Sequence, residues 1–321
     1  MNKLTIIGLG WAWYTAWIYA WRYGLVPTLI GENDWWLITE NHLVENFPWY
    51  PEPKSGFEIM QDLKKQAERF GATIMLDKVK SITPIDPNDF TKWYNIETTF
   101  HWTIQSKAII LAIWTQKIKL WVPGEKEFFW KWVSYCATCD WFFYRWKKVA
   151  VVWGWDTALI EALYLSEIAE KVYLIHRRNQ FRWEPIRLER LKQKTNVEII
   201  TPAIVEEILW SEKVEYIKIK KCINWQTIMD CQNFEEKLLP VDGVFIAIWT
   251  KPNPMPWLDE YLERDENWYI KVDECMKTNL PWIFAAWDVT TGSCYFKQLI
   301  TACSEWAIAA ESAFKYVEKT N

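Results

Sequence analysis

The sequence predicts an α/β fold of two related domains, one inserted into the other. Three observations predict it. A strand–turn–helix unit occurs twice, at 4–20 and again at 149–165. Two segments that close putative domains echo each other, "IILAIWTQK" at 109–117 and "VFIAIWTKP" at 244–252. The length, 321 residues, suits about two domains. The paired endings favour insertion over two side-by-side domains, with crossover points near 115–120 and 244–250.

The elements follow in order. "LTIIGLGWAWYTAWIYAWRYG" (4–24) predicts a strand, a glycine turn and an amphipathic helix, and "VPTLIGE" (26–32) a second strand. "SGFEIMQDLKKQAERFG" (55–71) predicts a helix with Ser55 as N-cap and Gly71 as stop signal. Strands are expected in "ATIMLDKVKSITPID" and "YNIETTFHWTIQSKAIILAI", the last one buried. A loop-rich connection, "PGEKEFFWKWVSYCATCDWFF", leads to the second unit: strand "KVAVV", helix "TALIEALYLSEIA" and strand "KVYLIH". More strands fill 197–232, and the tail from 281 predicts a strand, a turn and a long final helix.

Bulk properties exclude several classes. The formal net charge of −4 gives no basic face, which argues against a nucleic-acid partner. No apolar stretch reaches the length of a membrane span and no signal peptide is visible, so a cytoplasmic protein is expected. Seven cysteines, an odd number in a long chain, do not form a secreted disulfide framework. With three histidines, a histidine-rich metal site is not expected.

The two turns carry the chemistry. In a dinucleotide-binding βαβ unit the first glycine makes the tight turn, the second lets pyrophosphate approach the backbone, and the third lets helix and strand pack closely. In the first unit Gly8 and Gly10 hold the first two positions and Trp13 the third. In the second, Trp153 and Trp155 hold the first two and Ala158 the third. Either turn alone also reads as an ordinary tight turn, but the flanking strand and helix weigh against that. Glu32 stands twenty-four residues after Gly8, and Arg177 twenty-four after Trp153, each at a strand end. An acid there accepts bonds from ribose hydroxyls; an arginine there suits a ribose 2′-phosphate. Arg178 and Arg182 add positive charge. The first site therefore reads as FAD or NAD and the second as NADP, with a solvated basic patch as the competing reading of "HRRNQFR" (176–182).

"SYCATCD" places Cys136 and Cys139 two residues apart, followed by Asp140. Half a zinc site would need a second pair, and none exists. Two core cysteines are the plainer reading. A redox dithiol is favoured by the spacing, with Asp140 able to exchange a proton. Cys222, Cys231, Cys275, Cys294 and Cys303 read as small apolar packing residues.

Together these motifs make the chain resemble the low-molecular-weight, bacterial-type thioredoxin reductases over essentially its whole length. The resemblance rests on the first turn, on "LVENFP" (43–48), "WVPGE" (121–125), "SYCATCD", "HRRNQFR", "FAAWDVTTG" (284–292) and "KQLITACSEWAIAA" (297–310). It implies two Rossmann-like domains of the flavoprotein disulfide reductase type, three-layer sheets with helices. The FAD-binding domain would comprise 1–116 and 247–321. The NADPH-binding domain, 117–246, would carry the redox pair. Implied cofactor-binding residues are Gly8, Gly10, Ala12, Glu32, Asn46, Ala112, Asp288, Lys297 and Gln298 for FAD, and Gly154, Asp156, His176, Arg177, Arg178 and Arg182 for NADPH; no metal is implied. Hydride would pass from NADPH to FAD, then electrons to the Cys136–Cys139 disulfide and on to thioredoxin. Cys136 would attack the partner, Cys139 would face the flavin, and Asp140 would act as acid. The family is homodimeric, and its NADPH domain rotates against its FAD domain about the crossover strands. NADH, ferredoxin or reduced flavin as electron source, and a cofactor-poor inactive scaffold, are the alternatives.

One departure dominates. The chain has 26 Trp and only 10 Gly. Against the family pattern, tryptophan repeatedly stands at glycine positions, among them Trp13, Trp114, Trp153, Trp155, Trp249, Trp287 and Trp306. Glycine at such turns often needs positive φ, which a side chain resists. Trp155 falls where pyrophosphate would touch the chain, so the NADPH turn is the more exposed to this change, while Gly8 and Gly10 keep the FAD turn.

Overall fold

The computed structural model describes residues 2–8, 13–32, 37–41, 43–101, 103–113, 115–129, 132–153, 156–181, 184–210, 213–223, 227–248, 250–255 and 258–319. The chain divides into two compact units, Met1–Gln116 with Lys251–Asn321, and Lys117–Thr250.

The first unit begins with β1 (Asn2–Ile7), α1 (Trp13–Arg22), β2 (Thr28–Gly31), α2 (Gly56–Glu68), β3 (Ile74–Leu76), β4 (Val79–Pro84), β5 (Tyr94–Thr98) and β6 (Ile104–Leu111). A short strand, β7 (Thr115–Lys117), follows. β1 is buried from Leu4 to Ile7, as a strand covered on both faces must be. It pairs in parallel with β2 and β6, and β2 with β3. β6 changes partner along its length. Its first residues pair antiparallel with β5, Ile104 opposite Ile96, and its last pair in parallel with a late strand, Leu111 opposite Ala285. α2 starts where expected. Ser55 Oγ accepts from the Glu58 N–H at 3.2 Å, and Glu58 Oε2 accepts from the Ser55 N–H at 2.9 Å.

The second unit carries β8 (Val133–Ser134), α3 (Ala137–Asp140), β9 (Lys148–Val152), α4 (Asp156–Ser166), β10 (Lys171–Ile175), α5 (Pro185–Lys192), β11 (Val197–Ile200), β12 (Ala203–Trp210), β13 (Val214–Cys222), β14 (Phe234–Pro240) and β15 (Gly243–Ile246). Its parallel sheet has the order β11-β10-β9-β15-β8, and β12, β13 and β14 form an antiparallel sheet. β9 is thus flanked by β10 and β15 just as β1 is flanked by β2 and β6. In each unit the strand–turn–helix starts from a central strand with parallel neighbours on both sides, where the strand order reverses and ligands bind in such folds. The chain returns through β16 (Thr250–Pro252), which pairs with β7, then β17 (Ile283–Ala285), the late partner of β6, and α6 (Leu299–Lys319).

In the first unit α1, α2 and α6 pack a core that includes Trp13, Trp17 and Trp306, all essentially without solvent contact. Tryptophan also marks the backbone. Among the described residues, ten that are not glycine have positive φ, and six of these are Trp121, Trp146, Trp153, Trp268, Trp282 and Trp287. A side chain in that region costs roughly 1–2 kcal/mol per residue. No described helix is long and apolar enough to cross a membrane, and the described residues hold no group of three or more candidate metal ligands.

Candidate active site

In the first unit, β1 runs into Gly8, at φ +100°. The Gly8 N–H donates to the Ile30 carbonyl at 2.8 Å and the Ala112 N–H to the Ile7 carbonyl at 2.6 Å, so the ends of β1, β2 and β6 are tied together here. A Cβ on Gly8 would lie 2.2 Å from the Ala112 carbonyl oxygen. Only glycine fits this turn. Gly10 and Ala12 lie outside the described residues. Glu32, exposed beyond β2, pairs with Lys78 at 3.2 Å, a surface contact that contributes little to stability.

The structure brings together residues far apart in the chain. Asn46 Nδ2 donates to Gln298 Oε1 at 3.0 Å. Lys297 Nζ donates to the carbonyls of Trp287 at 2.8 Å, Thr290 at 2.9 Å and Gly292 at 3.3 Å. Burial holds the Lys297 ammonium below its ordinary value, against the pull of Glu305 and Asp288. Asp288 keeps some exposed surface, yet its carboxyl is enclosed, and burial pushes it up to about 7 despite nearby Lys297. Glu305 completes the group. It is buried on α6, and its Oε2 accepts from the Trp287 N–H at 2.6 Å. Its Oε1 is buried without a hydrogen-bond partner. Sequence reasoning alone assigns no role to Glu305; the available signal is a carboxylate set within the apolar first half of the last helix. A turn that only glycine fits and a buried carboxylate oxygen with a lone pair to offer suit a polar dinucleotide.

In the second unit, Trp153 takes the first turn position at φ 119°, and its N–H donates to the Ile175 carbonyl at 2.8 Å. The Arg177 guanidinium lies over its ring, 4.4 Å from the centroid. His176 is buried and continues β10, donating its N–H to the Ile200 carbonyl at 3.1 Å and accepting from the Ala203 N–H at 2.8 Å. Arg178 forms an antiparallel bridge with Thr227. Asp156 opens α4 with Oδ1 3.3 Å from Arg187 Nε; burial pushes its carboxyl up while Arg187 opposes. Gly154 and Arg182 lie outside the described residues. In this structure the Arg177 side chain is engaged by the Trp153 ring.

Cys136 is almost fully buried and is held in a disulfide. Its N–H donates to Ser134 Oγ at 3.0 Å, at the end of β8. α3 follows at once, with Asp140 as its last residue, half-buried. The Cys139 backbone lies in α3, and its side chain is outside the described residues. The "WVPGE" motif braces this segment. Glu125 is buried and accepts from the Leu120 N–H at 2.8 Å, from the Trp121 N–H at 2.5 Å and from the Tyr135 hydroxyl. The expectation for the other cysteines needs correction at one pair. Cys222 and Cys231 are not packing residues but a disulfide, with Cα atoms 5.9 Å apart. Nine residues of separation carry no recognised spacing signal.

The family model described as pyridine nucleotide-disulphide oxidoreductase matches residues 2–312. The chain belongs to that family. Within it, the similar proteins are thioredoxin reductases. The one from Helicobacter pylori is 36% identical over 325 residues, covering 99% of this chain and 99% of its own. The one from Escherichia coli O157:H7 is 35% identical, covering 99% and 96%. Among solved structures, Lactococcus lactis thioredoxin reductase superposes with a TM-score of 0.89 at 29% identity, covering 99% of this chain and 100% of that one. Membership of the thioredoxin reductases makes this chain an oxidoreductase of the flavoprotein disulfide-reductase fold.

Proposed function

We propose that this chain is a thioredoxin-disulfide reductase that works with NADPH and FAD through the Cys136–Cys139 pair. The observation that carries the reading is the disulfide-bonded Cys136 at the mouth of α3, three residues before that helix's Cys139 and four before Asp140, the helix's last residue. Bound flavin supplies two-electron transfer between a nicotinamide and that disulfide. The residues of the chain do the rest. In the discontinuous unit Gly8 keeps the turn open, Glu32 accepts from the ribose, and Asn46, Gln298, Asp288 and Lys297 hold the far end of the dinucleotide, with Gly10, Ala12 and Ala112 completing the set. In the inserted unit Arg177 and Arg178 select the 2′-phosphate, supported by Gly154, Asp156, His176 and Arg182.

Once reduced, the Cys136 thiolate attacks a disulfide of thioredoxin, and a mixed disulfide forms as the first partner sulfur leaves. Asp140 delivers the proton that the leaving sulfur takes up. Cys139 then attacks Cys136, which re-forms the internal disulfide and releases dithiol thioredoxin. A homodimer in the cytoplasm accompanies this reading.

The test is NADPH-dependent reduction of thioredoxin by the flavin-loaded protein, beside Cys136→Ser and Cys139→Ser. Both variants are expected to lose turnover by at least about a thousandfold while still binding flavin, as removal of a covalent catalyst does. Turnover by Cys139→Ser at the parent rate would end the proposal.

A further inference from the structure

The Cys222–Cys231 disulfide lies outside everything the redox reaction uses, yet it sits directly behind the arginines. Cys222 is the last residue of β13, and Cys231 follows the short 3-10 turn Ile228–Asp230. Between them the chain makes two backbone contacts with the arginine segment. The Ile228 N–H donates to the Arg177 carbonyl at 3.0 Å, and Thr227 pairs with Arg178 in an antiparallel bridge. Ile228 itself is buried. The disulfide therefore closes a loop whose inner edge supports the backbone of Arg177 and Arg178.

We propose that Cys222–Cys231 is a second thiol–disulfide site, one that sets how firmly the arginine segment is held and so how well it grips a 2′-phosphate. The proposal rests on the reading of Arg177 and Arg178 as the phosphate clamp. The two sulfurs differ in access: Cys222 is buried and Cys231 is half-exposed. An incoming thiolate from a dithiol protein attacks Cys231 Sγ. The sulfur–sulfur bond breaks, and Cys222 leaves as a thiolate that takes a proton. The second thiol of the incoming protein then attacks the mixed disulfide, frees Cys231 and departs as a disulfide. Two electrons and two protons have moved onto this chain. The reductant is of the class that the proposed reaction produces, so accumulating product loosens the clamp that admits fuel. With the cross-link open, the loop gains conformational freedom that the closed form denies it, and the bridge to Arg178 and the Ile228–Arg177 bond open more often.

The experiment uses the full-length, flavin-loaded chain carrying Cys136→Ser and Cys139→Ser, so that added dithiothreitol acts on one disulfide. Alkylation and peptide mass mapping should find Cys222 and Cys231 blocked before reduction and both labelled after it. Amide exchange in the peptide containing Ile228 should then quicken by about tenfold or more, the signature of a local opening. Binding of 2′,5′-ADP should weaken by at least about threefold, while 5′-AMP, which lacks the clamped group, should bind unchanged. Labelling of both cysteines before reduction overturns the proposal, as does unchanged exchange at Ile228 or equal 2′,5′-ADP affinity in the two states. Oxidised protein that does not prefer 2′,5′-ADP over 5′-AMP would sink the clamp reading itself and the proposal with it; unchanged affinity with that preference intact sinks the proposal alone.

Discussion

The guanidinium of Arg177 rests on the face of the Trp153 indole, 4.4 Å from the ring centroid. A cation over an aromatic face is held by about 0.5–2 kcal/mol, so any anion that recruits Arg177 must first outbid the ring. Trp153→Gly removes the ring and relieves a side chain at φ 119°. The Kd for NADPH is expected to fall by about tenfold or more, equivalent to about 1.4 kcal/mol. Calorimetric titration of the two proteins decides it; equal affinities would show that the indole does not compete.

Gly8 makes the opposite case. Gly8→Ala would place a methyl group against the Ala112 carbonyl at 2.2 Å, on a backbone at φ +100°. The neighbour is main chain, tied into β1, and cannot swing away. A loss of about 3 kcal/mol in unfolding free energy is expected, overpacking and left-handed strain together. Urea denaturation measures it, and a loss under about 1 kcal/mol would mean that the turn yields easily.

Asp77 gives an acid limb to the stability curve. It is buried, it accepts from the N–H groups of Lys78, Thr99, Phe100 and His101, and it lies 2.5 Å from His101 Nδ1. Burial alone would raise its carboxyl, but bonds from His101, Thr98 and the backbone prevail and hold it well below the usual range. A depressed acid contributes stability above its unfolded value, about 3.9, and that contribution fades as pH falls toward the folded one. Asp77→Asn should be less stable than the parent at neutral pH, with the gap closing below about pH 4. Urea midpoints from pH 3 to 7 should therefore converge on the acid side; parallel curves would refute this.

Asp288 acts in the other direction. Its carboxyl is raised to about 7 by burial. Between its unfolded value of about 3.9 and that folded value the native chain holds a proton that the unfolded chain has released. Stability is therefore lost as pH rises through this window. In the flavin-free protein, Asp288→Asn should flatten the decline between about pH 4 and pH 7. Thermal midpoints across that range test it, and an unchanged slope in the variant would assign the decline elsewhere.

Much of this architecture was legible because it is written in local patterns. The apolar strand before Gly8, Ser55 three residues before Glu58, and the repeated strand–turn–helix each specify their element without help from the rest of the chain. α5 was not foreseen. Its residues, "PIRLERLK", are polar on most sides and bury only Leu191, so periodicity gives no stripe to read. The candidate site is proposed from cysteines and arginines whose spacing is part of their chemistry. Glu305 and the Cys222–Cys231 pair were not legible, because their partners are set by tertiary packing: Glu305 meets the backbone of Trp287 eighteen residues earlier, and the two sulfurs meet across a hairpin end.

The tryptophans at left-handed backbone have a consequence for engineering the chain. Trp153, Trp282 and Trp287 adopt a geometry that suits a residue without a β-carbon, in a chain poor in that residue. Glycine at these positions would relieve the left-handed strain, but where the indole is buried, as at Trp282, it would also leave a cavity whose cost works against that gain.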